Sequence, residues 1–214
     1  ATRDRLVYIG GNDGILHAFR DRAGADGSPP GREVFGYLPR AVASQLNDLR
    51  DLNYNEGPAR HRYFVDGPLR DVDVHVRPPE GGDPTWRNYL LGSTGAGPAA
   101  VFAIDITDPQ ALGASSPRWE LRAEVDDRLG HVLAPLVAGM LPNGKWVAIF
   151  GNGYGSVSGR AHLFVVELDG GLVHALELPD VQETNGLGGV TLVKDGAGRV
   201  TGVYAGDLTG RLWR

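Results

Sequence analysis

The chain has no cysteine, so disulfides and zinc–thiolate sites are excluded at the outset. That absence suits a secreted bacterial protein, although it decides no compartment by itself. No apolar run approaches the ~18 residues that a membrane-spanning helix needs, and the N-terminus has no signal-peptide pattern. The sequence opens at Ala1 without a methionine and reads as an excised piece or a mature fragment. Positive charge is in deficit: 21 Lys and Arg against 26 Asp and Glu give a formal charge of −5. A general nucleic-acid binder would need a basic surface, so that class is disfavoured.

Motifs that carry chemistry are also missing. Ser156 and Ser158 lie in GYGSVSG, which lacks the strand-to-helix setting of a nucleophile elbow. The glycines of GNGYG (151–155) are followed by no helix, so they cannot cradle a phosphate at a helix N-terminus. The six histidines do not fall at metal-ligand spacings. The chain is therefore expected to be no enzyme and to carry no cofactor.

Glycine is abundant. Its 32 residues are about twice the usual ~7% share, and without a collagen period they read as punctuation between short strands. The clearest case is 145–168, KWVAIFGNGYGSVSGRAHLFVVEL. Two β-type runs, 146–150 and 162–168, flank a loop rich in Gly, Ser and Asn, which predicts a β-hairpin. A second hairpin is predicted at 6–19, where Asn-Asp-Gly separates two apolar runs. Further strands are expected at 62–65, 72–76, 86–91, 100–106, 119–125, 133–140, 172–178 and 190–193, with 20–32 as a loop. One helix is predicted over about 39–52, because Leu38, Val42, Leu46 and Leu49 recur at helical spacing behind Pro39.

The hairpins repeat. Their leading glycines are Gly10, Gly92, Gly151 and Gly206, at intervals of 82, 59 and 55 residues. These exceed the ~40–50 residues of compact propeller repeats, so insertions are implied. The fold class is mainly β: a partial or modified β-propeller with loop insertions and the one inserted helix near 39–52. A β-sandwich is the alternative. The chain is one domain or a fragment of one, 1–214, with blade-like units near 6–19, 86–106, 145–168 and 202–214. Four such units do not comfortably close a propeller of this type, so the chain is expected to be part of a larger ring or a piece that needs other segments, and an open edge of that kind is an association liability.

The remaining candidate residues have ordinary readings. Asp71 and Asp73 share a solvated strand face, and Asp126 and Asp127 make a turn. Asp105 and Asp108 fit a turn closed by side chain-to-backbone bonds, and Asp207 caps a blade turn. His17 and His162 are expected as core or interface imidazoles. Trp86, Trp119, Trp146 and Trp213 are expected in the blade core rather than in a ligand cage.

Several stretches fall in an order that resembles a known family: LVYIGGNDGILHAF (6–19), HRYFVDG (61–67), KWVAIFGNGY (145–154), AHLFVVEL (161–168), Asn185-Gly186-Leu187 and VYAGDLTGRLW (203–213). Together they resemble the C-terminal propeller of the PilY1/PilC proteins, the tip-associated adhesins of type IV pili. The resemblance covers about residues 5–214. It implies a non-enzymatic module at the pilus tip that binds minor pilins and supports pilus assembly, adhesion and twitching motility. It also implies a separate N-terminal region that carries the host or abiotic-surface contact, and an extracellular location reached through the periplasm. A quinoprotein-like propeller enzyme with an organic cofactor, or a generic carbohydrate-binding surface propeller, are the alternatives. Many family members carry a calcium loop, D-x-D-x-D-G-x-x-D, before the last unit. Here its acidic positions fall on Val193, Asp195, Ala197 and Thr201, so only one carboxylate remains and no metal is expected.

Overall fold

The computed structural model describes residues 3–24, 26–56, 61–179 and 184–214. Its strands form four antiparallel meanders, in which each strand pairs with its neighbour in sequence. The first sheet holds β1 (Leu6–Gly10), β2 (Leu16–Arg20) and β3 (Glu33–Tyr37). The second holds β4 (Leu69–Val76), β5 (Thr85–Ser93), β6 (Ala100–Asp105) and β7 (Pro117–Arg122). The third holds β8 (Val137–Met140), β9 (Trp146–Gly151), β10 (His162–Glu167) and β11 (Val173–Glu177). The fourth holds β12 (Leu187–Lys194), β13 (Val200–Asp207) and β14 (Leu212–Trp213).

The sheets stack face to face in series. Leu16 and Tyr37 of the first sheet pack with Leu90, Phe102 and Ile104 of the second. The opposite face of the second sheet, with Val74, Tyr89 and Val101, meets Ala148, Phe150 and Phe164 of the third. Val147 and Ile149 then meet Val190, Leu192 and Val200 of the fourth. Among the described residues, no hydrophobic cluster joins the first sheet to the fourth. This arrangement explains the sequence of β6, buried along its whole length: a strand covered on both faces has no solvent side on which to place polar residues. The mainly β, propeller-type architecture expected from the repeat is what the chain adopts, and each of the four glycine-led hairpins lies in a different sheet.

Three local expectations are corrected. The helix predicted over 39–52 is one α-turn, α1 (Arg40–Ala43), followed by a 3-10 turn, Leu46–Arg50. Ser44, Asn47 and Asp48 interrupt it with weak helix formers, and Leu38 turns outward at 41% exposure, while Val42, Leu46 and Leu49 pack on the first interface. Residues 62–65 are not a strand; they form the segment leading into β4, and Phe64 and Val65 from it are core. β3 lies where no strand was predicted, because Gly36 breaks its short alternating run. The predicted loop 20–32 holds beyond β2, except at residue 25, which lies outside the described residues.

Candidate functional site: interface nodes, an exposed aromatic cluster and the 193–201 loop

The chemistry-bearing side chains gather at the hairpin turns, where each sheet receives the segment leading into the next. Asn152, directly after the leading Gly151 of β9, is fully buried. Its Nδ2 donates to the carbonyls of Arg128 and Arg160, both at 2.8 Å, while Oδ1 accepts the N–H of His162 at 3.1 Å and of Leu187 at 2.9 Å. One side chain thus satisfies four backbone groups and fixes the start of β12 against the third sheet. An amide suits this place because it offers two donors and an acceptor oxygen with two lone pairs.

The other hairpins use the same device with different atoms. Asn12 Oδ1 accepts the N–H of Phe64 and its Nδ2 donates to the carbonyl of Arg62, which ties the first sheet to the segment leading into β4. Ser93 Oγ donates to the carbonyl of Val132, ahead of β8, at 2.7 Å. Glycine is required where backbones cross here: a methyl group at Gly151 would collide with the carbonyls of Leu187 and Gly188.

In the fourth sheet Asp207 turns onto its own loop. Oδ1 accepts the N–H of Thr209 and Arg211 and the Thr209 hydroxyl, and Oδ2 accepts Asn185 Nδ2 at 3.1 Å and Trp213 Nε1 at 2.8 Å. Desolvation pushes its pKa upward, but the hydrogen bonds from Trp213, Arg211, Thr209 and Asn185 outweigh that and hold the carboxyl well below the usual range. Asp207 is the turn cap the sequence suggested. Asp105 and Asp108 likewise close turns, through Thr107 and Gln110, and Asp126 accepts both the backbone and the guanidinium of Arg128. Asp71 and Asp73 are exposed on β4.

Glu120 on β7 reaches across the first interface. It accepts the Tyr37 hydroxyl at 2.8 Å and the N–H groups of Arg40 and Ala41 at 3.0 Å. Pro39 at the helix start makes no side-chain cap of its own, so a carboxylate from the neighbouring sheet serves as one. Burial, and then the charge of Glu120, push the Tyr37 phenol strongly upward.

His162 is buried in β10 as expected. His17 sits between two carboxylates, Glu33 at 2.7 Å and Asp13 at 3.0 Å. The Glu33 bond raises its pKa, burial works against this, and Asp13 adds to the rise. Trp119 and Trp146 pack against the second interface and Trp213 against the cluster beside Leu187. Trp86 is a correction: it is 64% exposed, with its ring 5.3 Å from His75 and 5.7 Å from Trp146. It lies at the start of β5, where the strand has passed beyond the core.

The loop joining β12 to β13 has the residues expected to be poor in oxygen. Val193 and Ala197 offer no side-chain oxygen, and Thr201 Oγ1 donates to the Val193 carbonyl. Asp195 Oδ1 accepts the N–H of Ala197 and Arg199, and Oδ2 takes the Arg199 guanidinium at 2.8 Å. Calcium takes about six to eight oxygens, and these residues do not fit it. Among the described residues, no three of His, Cys, Asp and Glu converge on a possible metal position.

The sequence reading singled out Asp207 but missed Asn12, Asn152 and Asn185 as a set. For Asn12 and Asn152 the available signal is position, two places and one place after the leading glycine; Asn185, which precedes Gly186, lacks it. Glu120 had no local signal, since its partners are 79 or more residues away.

The comparisons agree with this geometry. The family model described as the PilY1 beta-propeller domain matches residues 1–214. A type IV pilus biogenesis factor PilY1 homolog of Xylella fastidiosa is 38% identical, the alignment covering 100% of this chain and 14% of that protein. PilY1 of Pseudomonas aeruginosa PAO1 is 34% identical, over 100% of this chain and 17% of its own. The crystal structure of the Pseudomonas aeruginosa PilY1 C-terminal domain superimposes with a TM-score of 0.76 at 32% identity, covering 100% of this chain and 39% of that one. The chain thus spans about a sixth of the length of these full relatives. With its four stacked meanders, its glycine-crossed hairpins and a match along its whole length, the chain belongs to the PilY1 β-propeller family.

Proposed function

We propose that this chain is a non-enzymatic interaction module of a type IV pilus tip protein, which binds minor pilins and through them supports pilus assembly, adhesion and twitching motility. The observation that carries the reading is the match of the whole chain to type IV pilus biogenesis factors in sequence and in fold. The polar nodes fit it: Asn152 and Glu120 are committed to backbone groups of neighbouring elements and Asp207 to its own loop, so each serves the fold. The module's proposed place, outside the cell at the pilus tip, rests on the same family match. The four sheets are successive blades of one domain. The host or abiotic-surface contact is assigned to the N-terminal region of the longer protein. Copurification of the full-length protein with tip minor pilins tests the reading, and no association in cells that assemble pili would overturn it.

The 193–201 loop is, on the same reading, held by the Asp195–Arg199 pair without calcium. Adding calcium or a chelator to the purified protein should leave its thermal midpoint unchanged. A second reading, carbohydrate binding, is favoured by one observation: the exposed indole of Trp86 beside His75 offers a flat apolar platform. Glycan-array binding lost in Trp86→Ala would support it.

A further inference from the structure

The first and second sheets differ in width. The first has three strands and the second four, and among the described residues β3 pairs with β2 alone. The apolar contact between the two sheets reflects the mismatch: β4, β5 and β6 contribute Leu69, Leu90 and Phe102, while no residue of β7 joins it. β7 therefore overhangs, and the outer edge of β3 lies beside it with its main-chain groups unpaired.

Two cavities open where β3 and its flanks face the second sheet. One, of about 570 Å³, is lined by Arg20, Asp26, Arg32 and Glu33 and by the connection between β6 and β7. The other, of about 380 Å³, is lined by Tyr37 and Arg40 and by Arg118, Glu120 and Arg122 of β7. Their charges are unequally committed. Each carboxylate is engaged within the protein: Glu33 with His17 at 2.7 Å, Asp26 with the Ser28 hydroxyl at 2.6 Å, and Glu120 with Tyr37 and the N–H groups of Arg40 and Ala41. The cations are less occupied. Among the described residues, the guanidiniums of Arg32, Arg40 and Arg118 have no carboxylate partner, and Arg122 has only Glu120 and Glu124, at 4.0 and 3.9 Å. Arg118 Nε is moreover buried without an acceptor. Arg32 precedes β3 and Arg40 follows it, both exposed. In a chain of formal charge −5, this one strand edge carries cations in want of anions at both of its ends.

We propose that β3 accepts an extended, acidic segment of a partner polypeptide as the fourth strand of the first sheet, its carboxylates taken by Arg32 and Arg40 at the two ends and by Arg118 and Arg122 from the overhanging β7. Main-chain bonds to an open edge supply affinity, and the flanking side chains supply selection. A polypeptide fits better than an acidic polysaccharide because a strand edge runs between the two cationic ends, and only a peptide backbone can pair with it. The inference does not depend on the pilus reading.

The test uses the full-length protein and a fluorescein-labelled peptide in which glutamate alternates with valine. Its binding should weaken about ten-fold in the double variant Arg32→Gln, Arg40→Gln and fall with added salt. Both side chains are exposed and without ion pairs, so this variant keeps its fold. The same peptide N-methylated on alternate residues keeps its carboxylates but cannot pair with an edge, and it should bind at least about ten-fold more weakly. The amides of β3 that do not pair with β2 should gain protection from hydrogen exchange when the unmodified peptide binds. Equal binding of the N-methylated peptide, or of an oligouronate of the same charge, overturns the proposal, since the edge then recognises charge alone. No binding at about 1 mM peptide overturns it too. So do β3 amides already protected in the free protein, because the edge is then taken by the protein's own chain or, if protection grows with protein concentration, by a second copy.

Discussion

Asn152→Ala is the sharpest test of how the third and fourth sheets are held together. The substitution strips partners from the carbonyls of Arg128 and Arg160 and from the N–H groups of His162 and Leu187. The two carbonyls belong to partly exposed residues and can recover water, whereas His162 and Leu187 are buried. Each buried group left unpaired costs about 1–3 kcal/mol, so a loss of about 3–5 kcal/mol is expected once some unmet demand from the carbonyls is included. With a urea slope of about 2 kcal/mol/M, the midpoint falls by about 2 M with the slope itself unchanged. Tryptophan fluorescence is a suitable probe, because Trp213 packs in the cluster that contains Leu187. Asn152→Asp adds a discriminating arm. It keeps the acceptor but aims a carboxylate oxygen at two carbonyls, so it should be at least as damaging at neutral pH. Its carboxyl pKa is then raised in the folded state, and the damage should ease as pH falls through that value and one donor returns. A loss below about 1 kcal/mol in Asn152→Ala would refute the reasoning, because it would show that the four bonds are replaced without cost.

Other outcomes follow from the same geometry. Glu120→Ala removes the acceptor for Tyr37, Arg40 and Ala41 and should cost about 2–3 kcal/mol, with faster amide exchange confined to α1 and the turn after it; unchanged exchange would dissociate Glu120 from the helix. His17 has a folded pKa raised mainly by Glu33, so its contribution is fully present below the unfolded value of about 6.5 and is lost as pH rises through the folded value. The stability gap between wild type and His17→Gln should therefore be larger at pH 6 than at pH 9, and a gap that grows with pH would contradict the assignment. Gly151→Ala should prevent close seating of β12 on β9 and lower the thermal midpoint sharply, in contrast to Gly196→Ala, where a methyl group meets nothing.

The sheets were legible because their punctuation is local. Hairpins such as GGNDG and PNG are written in residues that tolerate turn geometry, and the runs between them are β-branched or aromatic. The propeller resemblance was legible for the same reason, being carried by contiguous stretches. Residues 62–65 were misread because their apolar character serves a tertiary purpose: Phe64 and Val65 fill the first interface while the backbone is held by Asn12, not by a ladder. The helix is overextended in the sequence because apolar spacing conceals the weak helix formers Ser44, Asn47 and Asp48, after which only a 3-10 turn continues. Trp86 was misplaced because hydrophobicity does not reveal where a strand outruns its core. Along the chain the glycines read as turns, and several are; the role of Gly10 and Gly151 as crossing points needs both backbones and is invisible along one.

The meander topology also sets an order of events for a chain that is made from its N-terminus. Every sheet closes from strands adjacent in sequence, so each can form as soon as its own segment is available, with little loop entropy to overcome. The latches then act forward: Asn12 waits for Phe64, 52 residues on, Ser93 for Val132, 39 on, and Asn152 for Leu187, 35 on. Each completed sheet is therefore a template for the next one and is sealed by its arrival, so assembly advances like a ratchet from one end and an interruption leaves a finished, ordered portion behind it.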